Sequence, residues 1–301
     1  MSDLPIPFPP SSEALPTALP LVLDIQHDTD PADDHGRARR IPHMGHAAIF
    51  FIIAGFCVIL GVLIILTAAH IRTQADALVH PGYAIGAQAA AYLATLAISM
   101  AVFPLMWHRS FFSGVHWNGL VAIRHWKKIL LLGLLVSFVS QAAMHFVSAP
   151  QDAPIDSLIL NKHLIWYMAA FAIVLGPFME ELAFRGFLLP AIATAYDWLS
   201  LDRTPAGLQR WEQTTAHSTP ALIVAAMLSS LPFALMHAAQ IGYAWGVVGI
   251  LYAVSLALSF VRIRTQSLAC STLMHGCYNF IIFALLFVSS DGFRHLEKIA
   301  H

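Results

Sequence analysis

Seven long stretches of this 301-residue chain carry no Asp, Glu, Lys or Arg, and this feature most limits the folds that the chain can adopt. A helix needs about 20 mostly apolar residues to cross the ~30 Å hydrocarbon core of a bilayer. Because the stretches are continuous rather than alternating, they predict helices and not the strands of a membrane barrel. The spans are predicted at 47–69, 83–107, 129–147, a fourth that begins with 164–178, 221–237, 243–261 and 268–288.

Composition narrows the class of protein. Hydrophobic residues make up 58% of the chain and charged residues only 11%, whereas roughly 25% of a soluble domain is charged. An ordinary soluble protein and a disordered chain are thereby excluded. A net charge of −1 provides no basic field for phosphates, so no nucleic acid is expected as a partner. The sequence predicts an all-α polytopic membrane protein with about seven (six to eight) transmembrane helices in a lipid bilayer.

The N-terminal segment 1–46 has eight prolines and seven acidic residues, which predicts a disordered tail. Cytoplasmic loops are enriched in Lys and Arg. With seven spans, 11 of the 16 Lys and Arg residues fall on the side of the N-terminus and 4 on the other, and Arg185 lies within the membrane. Treating 187–199 as an eighth span lowers this bias to 9 against 6. Seven spans are favoured, with the N-terminus in the cytoplasm and the chain in the cytoplasmic membrane of a bacterium.

Three charged residues interrupt the apolar zone, namely Glu180, Glu181 and Arg185. A charge in the membrane costs at least ~2.5–3.5 kcal/mol on insertion scales, so such residues are candidates for function. Glu181 and Arg185 are four residues apart and share a helix face, whereas Glu180 points about 100° away. Our interpretation is that Arg185 neutralises and orients Glu181, which leaves Glu180 as the chemically active carboxylate. The alternative is an ion-pair network that only positions helices.

Two later spans add polar side chains at helical spacing. Phe233 and His237 are four residues apart, and so are His275 and Asn279. A lone intramembrane histidine often only bonds the backbone of a neighbouring helix. Three helices that each carry an acid or an imidazole can instead satisfy one another, which favours one shared site.

Taken in order, Glu-Glu-x-x-x-Arg, Phe-x-x-x-His and His-x-x-x-Asn resemble the signature of the CAAX prenyl protease / Abi (CPBP) family of intramembrane proteases. The resemblance covers residues 160–290, a predicted catalytic core in the C-terminal helical bundle. Residues 47–150 would then form three accessory helices without a recognised motif. The resemblance implies an endopeptidase that hydrolyses a peptide bond of a membrane-associated or lipidated protein or peptide.

The resemblance also assigns roles. Glu180 and His237 would polarise a water molecule, and His275 and Asn279 would stabilise the oxyanion of the tetrahedral intermediate. Glu181 and Arg185 belong to the same motif and are counted with the catalytic set, and Phe233 is expected to contact the substrate. Zinc is the competing chemistry, because Glu180, His237 and His275 could fill three positions of a catalytic Zn²⁺ site. The sequence leaves the choice between no cofactor and Zn²⁺ open.

Two other functions stay open at this point: a non-enzymatic scaffold or bacteriocin-immunity protein on the same fold, and a proton-coupled transporter. The depth of the site is a further expectation. Helix rise places Glu180 level with His237, but His275 is 11 residues from Arg264, or about 16 Å, and is expected at a different depth unless a helix tilts or kinks. With seven spans the site lies toward the non-cytoplasmic half, whereas cleavage of prenylated proteins requires cytoplasmic access. The sequence leaves the sidedness open.

Overall fold

A computed structural model describes residues 40–70, 82–147 and 153–296, and within these ranges it contains helices and no strand. Seven of the helices are long and apolar enough to cross a membrane, so the predicted all-α fold with seven spans is confirmed. Segment 187–199 is the end of the fourth span and not a separate one. The helices are α1 (Met44–Ala68), α2 (Gly82–Trp107), α3 (Phe111–Gly114), α4 (Gly119–Met144), α5 (Asp156–Ile159), α6 (Leu164–Leu199), α7 (Pro205–Gln213), α8 (Thr219–Met236), α9 (Trp245–Thr265) and α10 (Leu268–Ser289).

Helix ends differ from the predicted ones where polar residues cap or extend a span. α4 begins ten residues earlier than predicted, because the side chain of Asn118 accepts a hydrogen bond from the Val121 N–H at 3.2 Å and caps the helix. Most of the predicted tail, residues 1–39, lies outside the described residues, and residues 44–46 form the first turn of α1.

The connection between the fourth and fifth spans contains the short helix α7. Thr204 caps this helix by accepting a hydrogen bond from the Gly207 N–H at 3.2 Å. Two contacts join α7 to its surroundings: the Trp198 and Trp211 rings lie 5.2 Å apart, and the Arg40 guanidinium lies 3.5 Å from the centre of the Trp211 ring. Arg40, four residues before α1, is therefore held against the connection between the fourth and fifth spans.

The fourth span, α6, has 36 residues and would be about 54 Å long as a regular α-helix. Two π-helical stretches interrupt it, Phe171–Leu175 and Leu182–Leu188. Such stretches occur frequently at functional sites, and each changes which face of the helix the following residues occupy. Pro190 does not end the helix, and the last part of α6 packs antiparallel to α8.

The first three spans and the last four share one bundle. α10 packs against α4 and α9, and α1 packs against α2 and α6. The α4–α10 contact is close, because a Cβ added to Gly133 would lie 3.1 Å from both the Met274 carbonyl oxygen and the Cys277 Cβ. The bundle surrounds the middle of α6, where the unusual charges lie.

Candidate active site

A fully buried ion pair forms the base of the site. Arg185 Nη1 lies 3.0 Å from Glu181 Oε1, and both side chains are completely buried. This is the pair that the i, i+4 spacing predicts. Both charges are removed from water, a situation that proteins tolerate only when the geometry is good and further hydrogen bonds satisfy the remaining donors.

The remaining donors of Arg185 are used by α9. Its Nη2 donates to the Ser255 carbonyl oxygen at 2.7 Å and to the Ser255 hydroxyl oxygen at 2.5 Å, and its Nε donates to the Ser259 hydroxyl oxygen at 3.3 Å. The guanidinium carbon also lies 4.6 Å from the centre of the Phe233 ring on α8. Arg185 thus joins α6 to α8 and α9, and its guanidinium is engaged on every side.

His275 lies between the two glutamates. Its Nδ1 is 3.1 Å from Glu181 Oε1, and its Nε2 is 3.7 Å from Glu180 Oε2. A carboxylate oxygen can only accept a hydrogen bond, so Nδ1 carries the hydrogen and donates it to Glu181. Glu181 therefore accepts from both Arg185 and His275, while Glu180 keeps the more exposed position.

The expected difference in depth between His275 and the glutamates does not occur, because His275 lies within 3.7 Å of both. Arg264 and Gln266 in the α9–α10 connection are exposed, whereas Ser267 and Leu268 at the start of α10 have no exposed area. The backbone N–H of Leu268 donates to the His116 carbonyl oxygen at 3.0 Å. This hydrogen bond holds the start of α10 against the segment before α4. Seven residues further along α10, His275 is level with α6 and its glutamates.

Phe233 and His237 lie at the end of α8. The sequence places both on one helix face, but α8 ends at Met236 and His237 is the first residue after it. His237 Nδ1 is 2.8 Å from the Phe233 carbonyl oxygen. The Phe233 ring is only 2% exposed, and its centre lies 5.2 Å from that of His237 and 5.8 Å from that of His275. The ring therefore separates and supports the two imidazoles, with little surface left for a substrate.

Asn279 is tied to the first π-helical stretch of α6. Its Nδ2 donates to the Ala172 carbonyl oxygen at 2.6 Å. In a π-helical stretch that carbonyl would accept from the residue five positions later, which is Pro177 and has no N–H. The amide of Asn279 replaces the missing donor. One amide hydrogen is used in this way, and the other stays available.

Five of the seven residues predicted from the sequence line one cavity of about 790 Å³. Glu180, Phe233, His237, His275 and Asn279 line it. Glu181 and Arg185 do not line it, and being fully buried they cannot touch a substrate. The structure thus divides the seven residues into a group that faces the cavity and a pair that holds the group from behind.

Sequence reasoning missed several polar residues of the cavity. Gln88 on α2, Asp156 on α5 and Gln240 after α8 also line it. Gln88 Nε2 donates to the Tyr92 hydroxyl oxygen at 3.0 Å, and Tyr92 is close enough to Glu180 to interact with its charge. The signal for Gln88 was present, since it is a polar residue within an apolar span. The other two lie in connections, where polar residues are common.

The zinc alternative can be tested against this arrangement. Among the described residues, no group of three or more His, Cys, Asp or Glu side chains is arranged to hold a metal ion. His275 directs both ring nitrogens at carboxylates, and His237 directs Nδ1 at a backbone carbonyl. The candidate ligands as placed therefore do not fit Zn²⁺, and the choice between no cofactor and Zn²⁺, which the sequence left open, is a matter for experiment.

Comparison with known protein families gives a match, which covers part of the chain. Residues 162–281 match a family described as Rce1-like, type II CAAX prenyl endopeptidase Rce1-like. This segment is Rce1-like. The match confirms the resemblance to CAAX prenyl proteases, and all three motifs lie within the Rce1-like segment. No curated protein and no solved structure matches the chain.

The family supports a coarse statement of function. The match of residues 162–281 supports a CAAX-type endopeptidase at the level of the family, and the seven apolar helices support an integral multi-pass membrane protein. A membrane-associated or lipidated polypeptide is the class of substrate that this family implies.

Proposed function

We propose that the chain is a metal-free intramembrane endopeptidase in which Glu180 and His237 activate water and His275 and Asn279 stabilise the oxyanion. The observation that carries the proposal is that these four side chains, from α6, α10 and the turn after α8, line one cavity. We place the enzyme in the cytoplasmic membrane of a bacterium, with its N-terminus in the cytoplasm, because of the Lys and Arg distribution.

The hydrogen bond between His237 Nδ1 and the Phe233 carbonyl oxygen leaves Nε2 of His237 able to accept a hydrogen bond from water. A backbone carbonyl can only accept, so His237 Nδ1 carries the hydrogen that it shares with Phe233. The neutral ring then presents a lone pair at Nε2. Glu180 is an acceptor as well, and a water molecule held between the two would have its hydrogens directed at Glu180 and His237 and a lone pair left for the substrate carbonyl carbon.

Both ring nitrogens of His275 take part in its proposed role at the oxyanion. An oxyanion needs a hydrogen-bond donor, so in this role His275 carries a hydrogen on Nε2 as well as on Nδ1. Its Nδ1–H donates to Glu181, which leaves Nε2–H directed toward Glu180 and the cavity. As negative charge develops on the substrate oxygen, this donor and the second amide hydrogen of Asn279 can stabilise it.

Glu180 carries the proton from the attacking water to the leaving nitrogen. Glu180 takes a proton from water as the oxygen of that water bonds to the carbonyl carbon. The protonated Glu180 then gives that proton to the leaving nitrogen as the C–N bond breaks. Glu181 and Arg185 are positioning residues here, because they hold His275 without touching the substrate.

The test compares purified protein variants on two probes, an isoprenylated CAAX-type peptide and a membrane-inserted peptide without a lipid. Glu180→Gln and His237→Gln should lower the cleavage rate about 10²–10⁴-fold. Asp291→Asn and His163→Gln are matched controls on exposed residues and should cleave at the wild-type rate. Equal cleavage by all five proteins would refute the mechanism.

Metal analysis on the same samples tests the cofactor. The proposal expects no stoichiometric zinc in the active protein and no effect of chelators on the cleavage rate. Stoichiometric zinc that is lost in His275→Ala, together with loss of activity on chelation, would favour the metal site instead.

A further inference from the structure

The cavity opens at one particular end of the bundle. Its inner end is formed by Glu180 and His275, which are 14% and 5% exposed. Its rim is formed by exposed residues from separate parts of the chain, Ala84 at the start of α2, Pro154 and Leu160 around α5, and Gln240 after α8. A substrate segment therefore reaches Glu180 from the end at which α2 and α6 begin and α8 ends.

One hydrogen bond at each end of the bundle shows which connections lie at the rim and which lie opposite it. The N–H of Ile155 donates to the Gln240 carbonyl oxygen at 3.1 Å, which joins the connection before α6 to the turn after α8. At the opposite end of the bundle, Arg40 Nη1 donates to the Trp211 carbonyl oxygen at 2.6 Å. Since each span reverses direction, the rim lies on the side of the membrane away from Arg40.

The distribution of Lys and Arg assigns these two ends to the two sides of the membrane. Of the 12 such residues that the structure describes, nine lie at the end of Arg40, only Lys162 and Arg294 lie at the end of the rim, and Arg185 lies between the two ends. The turn 237–244, which carries the catalytic candidate His237, has none. Positive charge near span ends is retained in the cytoplasm, so the rim faces the non-cytoplasmic side.

We infer that this peptidase takes its substrate from the non-cytoplasmic side. The substrate class is a polypeptide held at or in the membrane whose scissile bond lies on, or just below, the non-cytoplasmic surface. A protein lipidated and retained in the cytoplasm is excluded as its substrate. This inference rests on the proposed function for the chemistry, but the direction of access rests on charge and topology alone.

Cysteine labelling tests the direction of access without any need for activity. The background carries Cys57→Ala, Cys270→Ala and Cys277→Ala. Gln240→Cys then reports on the rim, and Gln209→Cys on α7 is the matched probe at the opposite end, with both positions exposed. A membrane-impermeant maleimide added to intact spheroplasts should label Gln240→Cys at least tenfold faster than Gln209→Cys. After permeabilisation the two rates should become similar.

The reverse preference, or equal labelling before permeabilisation, would overturn the inference. A second measurement adds the substrate. Cells that produce the wild type or Glu180→Gln are compared for new protein N-termini, and Glu180-dependent cuts should fall in non-cytoplasmic segments. Glu180-dependent cuts confined to cytoplasmic segments would also overturn the inference. Failure of the proposed function itself would be visible separately, as Glu180-independent cleavage by the purified protein.

Discussion

Two concave surfaces lie on opposite sides of one thin wall, and they differ in chemistry more than in size. The wall consists of the first π-helical stretch of α6 and the middle of α10. On one side is the candidate active-site cavity of about 790 Å³. On the other is a groove of about 930 Å³ between α4 and the wall. Among the residues that line this groove there is no Asp, Glu, His, Lys or Arg.

The comparison teaches that apolar volume does not identify the functional site of a membrane protein. In a soluble protein the larger apolar pocket would be the first hypothesis. In a bilayer an apolar groove contacts lipid tails, which are as apolar as its own side chains. Ionisable groups carry the information instead, because their burial is costly and they persist where they are paired and used.

The largest effect on stability should come from breaking the buried Glu181–Arg185 ion pair behind the cavity. Arg185→Met leaves the Glu181 charge buried without its partner, and breaking a buried pair in this way costs about 3–5 kcal/mol. Thermal unfolding in detergent should occur at a clearly lower temperature, and cleavage should be lost as His275 loses its support. Arg185→Lys keeps the charge but not the fork of donors and should lie in between. Arg294→Met on an exposed residue is the control, and an Arg185→Met protein as stable as this control would contradict the account.

A smaller effect should come from the wall itself. A Cβ at Gly276 would lie 2.9 Å from the Ile173 carbonyl oxygen, so Gly276→Ala must push α10 away from α6 and disturb the Asn279–Ala172 contact. Misplacing catalytic groups by about 1 Å can cost up to about 10²-fold in rate, and we expect a loss of about tenfold or more. Leu131→Ala changes the groove without changing the wall and should keep wild-type activity. Similar rates for both variants would show that the wall does not couple the two surfaces.

The smallest effect concerns a polar cluster at the far end of the bundle. His217 Nδ1 lies 2.9 Å from Asp197 Oδ2. Burial lowers the pKa of His217 below its ordinary value of 6.5, and the nearby Asp197 opposes this only in part. Below about pH 6.5 the unfolded chain therefore takes up a proton that the folded protein does not, so acid reduces stability. Between pH 7.5 and 5.5 the melting temperature should fall by a few degrees more for the wild type than for His217→Gln. An equal fall in both proteins would show that His217 contributes nothing to the acid response.

Much of the fold follows from local properties of the sequence. Apolarity and run length predict seven spans, and residues 187–199 continue the fourth span as the seven-span interpretation requires. The same local reasoning misplaced features that depend on partners. α4 begins after its Asn118 cap rather than at residue 129, where the uncharged stretch begins. α7 forms within a segment that is polar on average.

The candidate site divides in a similar way. That Glu180, Glu181, Arg185, His237 and His275 belong together could be inferred from the cost of polar groups in a membrane. Helical spacing also predicted that Arg185 pairs with Glu181 and that Glu180 lies on another face. The contact of His275 with both glutamates could not be predicted in this way, because it depends on how the start of α10 packs against the segment before α4.

The sequence by itself therefore determined that this is a membrane-embedded, CAAX protease-like chain, and which spans carry its unusual polar groups. It did so because hydrophobicity, charge and motif spacing are local properties. Only the tertiary structure decided that Glu181 and Arg185 are completely buried behind a cavity that Glu180 lines, and that Gln88, Asp156 and Gln240 add polar groups to this lining. Those outcomes depend on packing between helices that are distant in the chain, and packing is set by the shapes of all the partners at once.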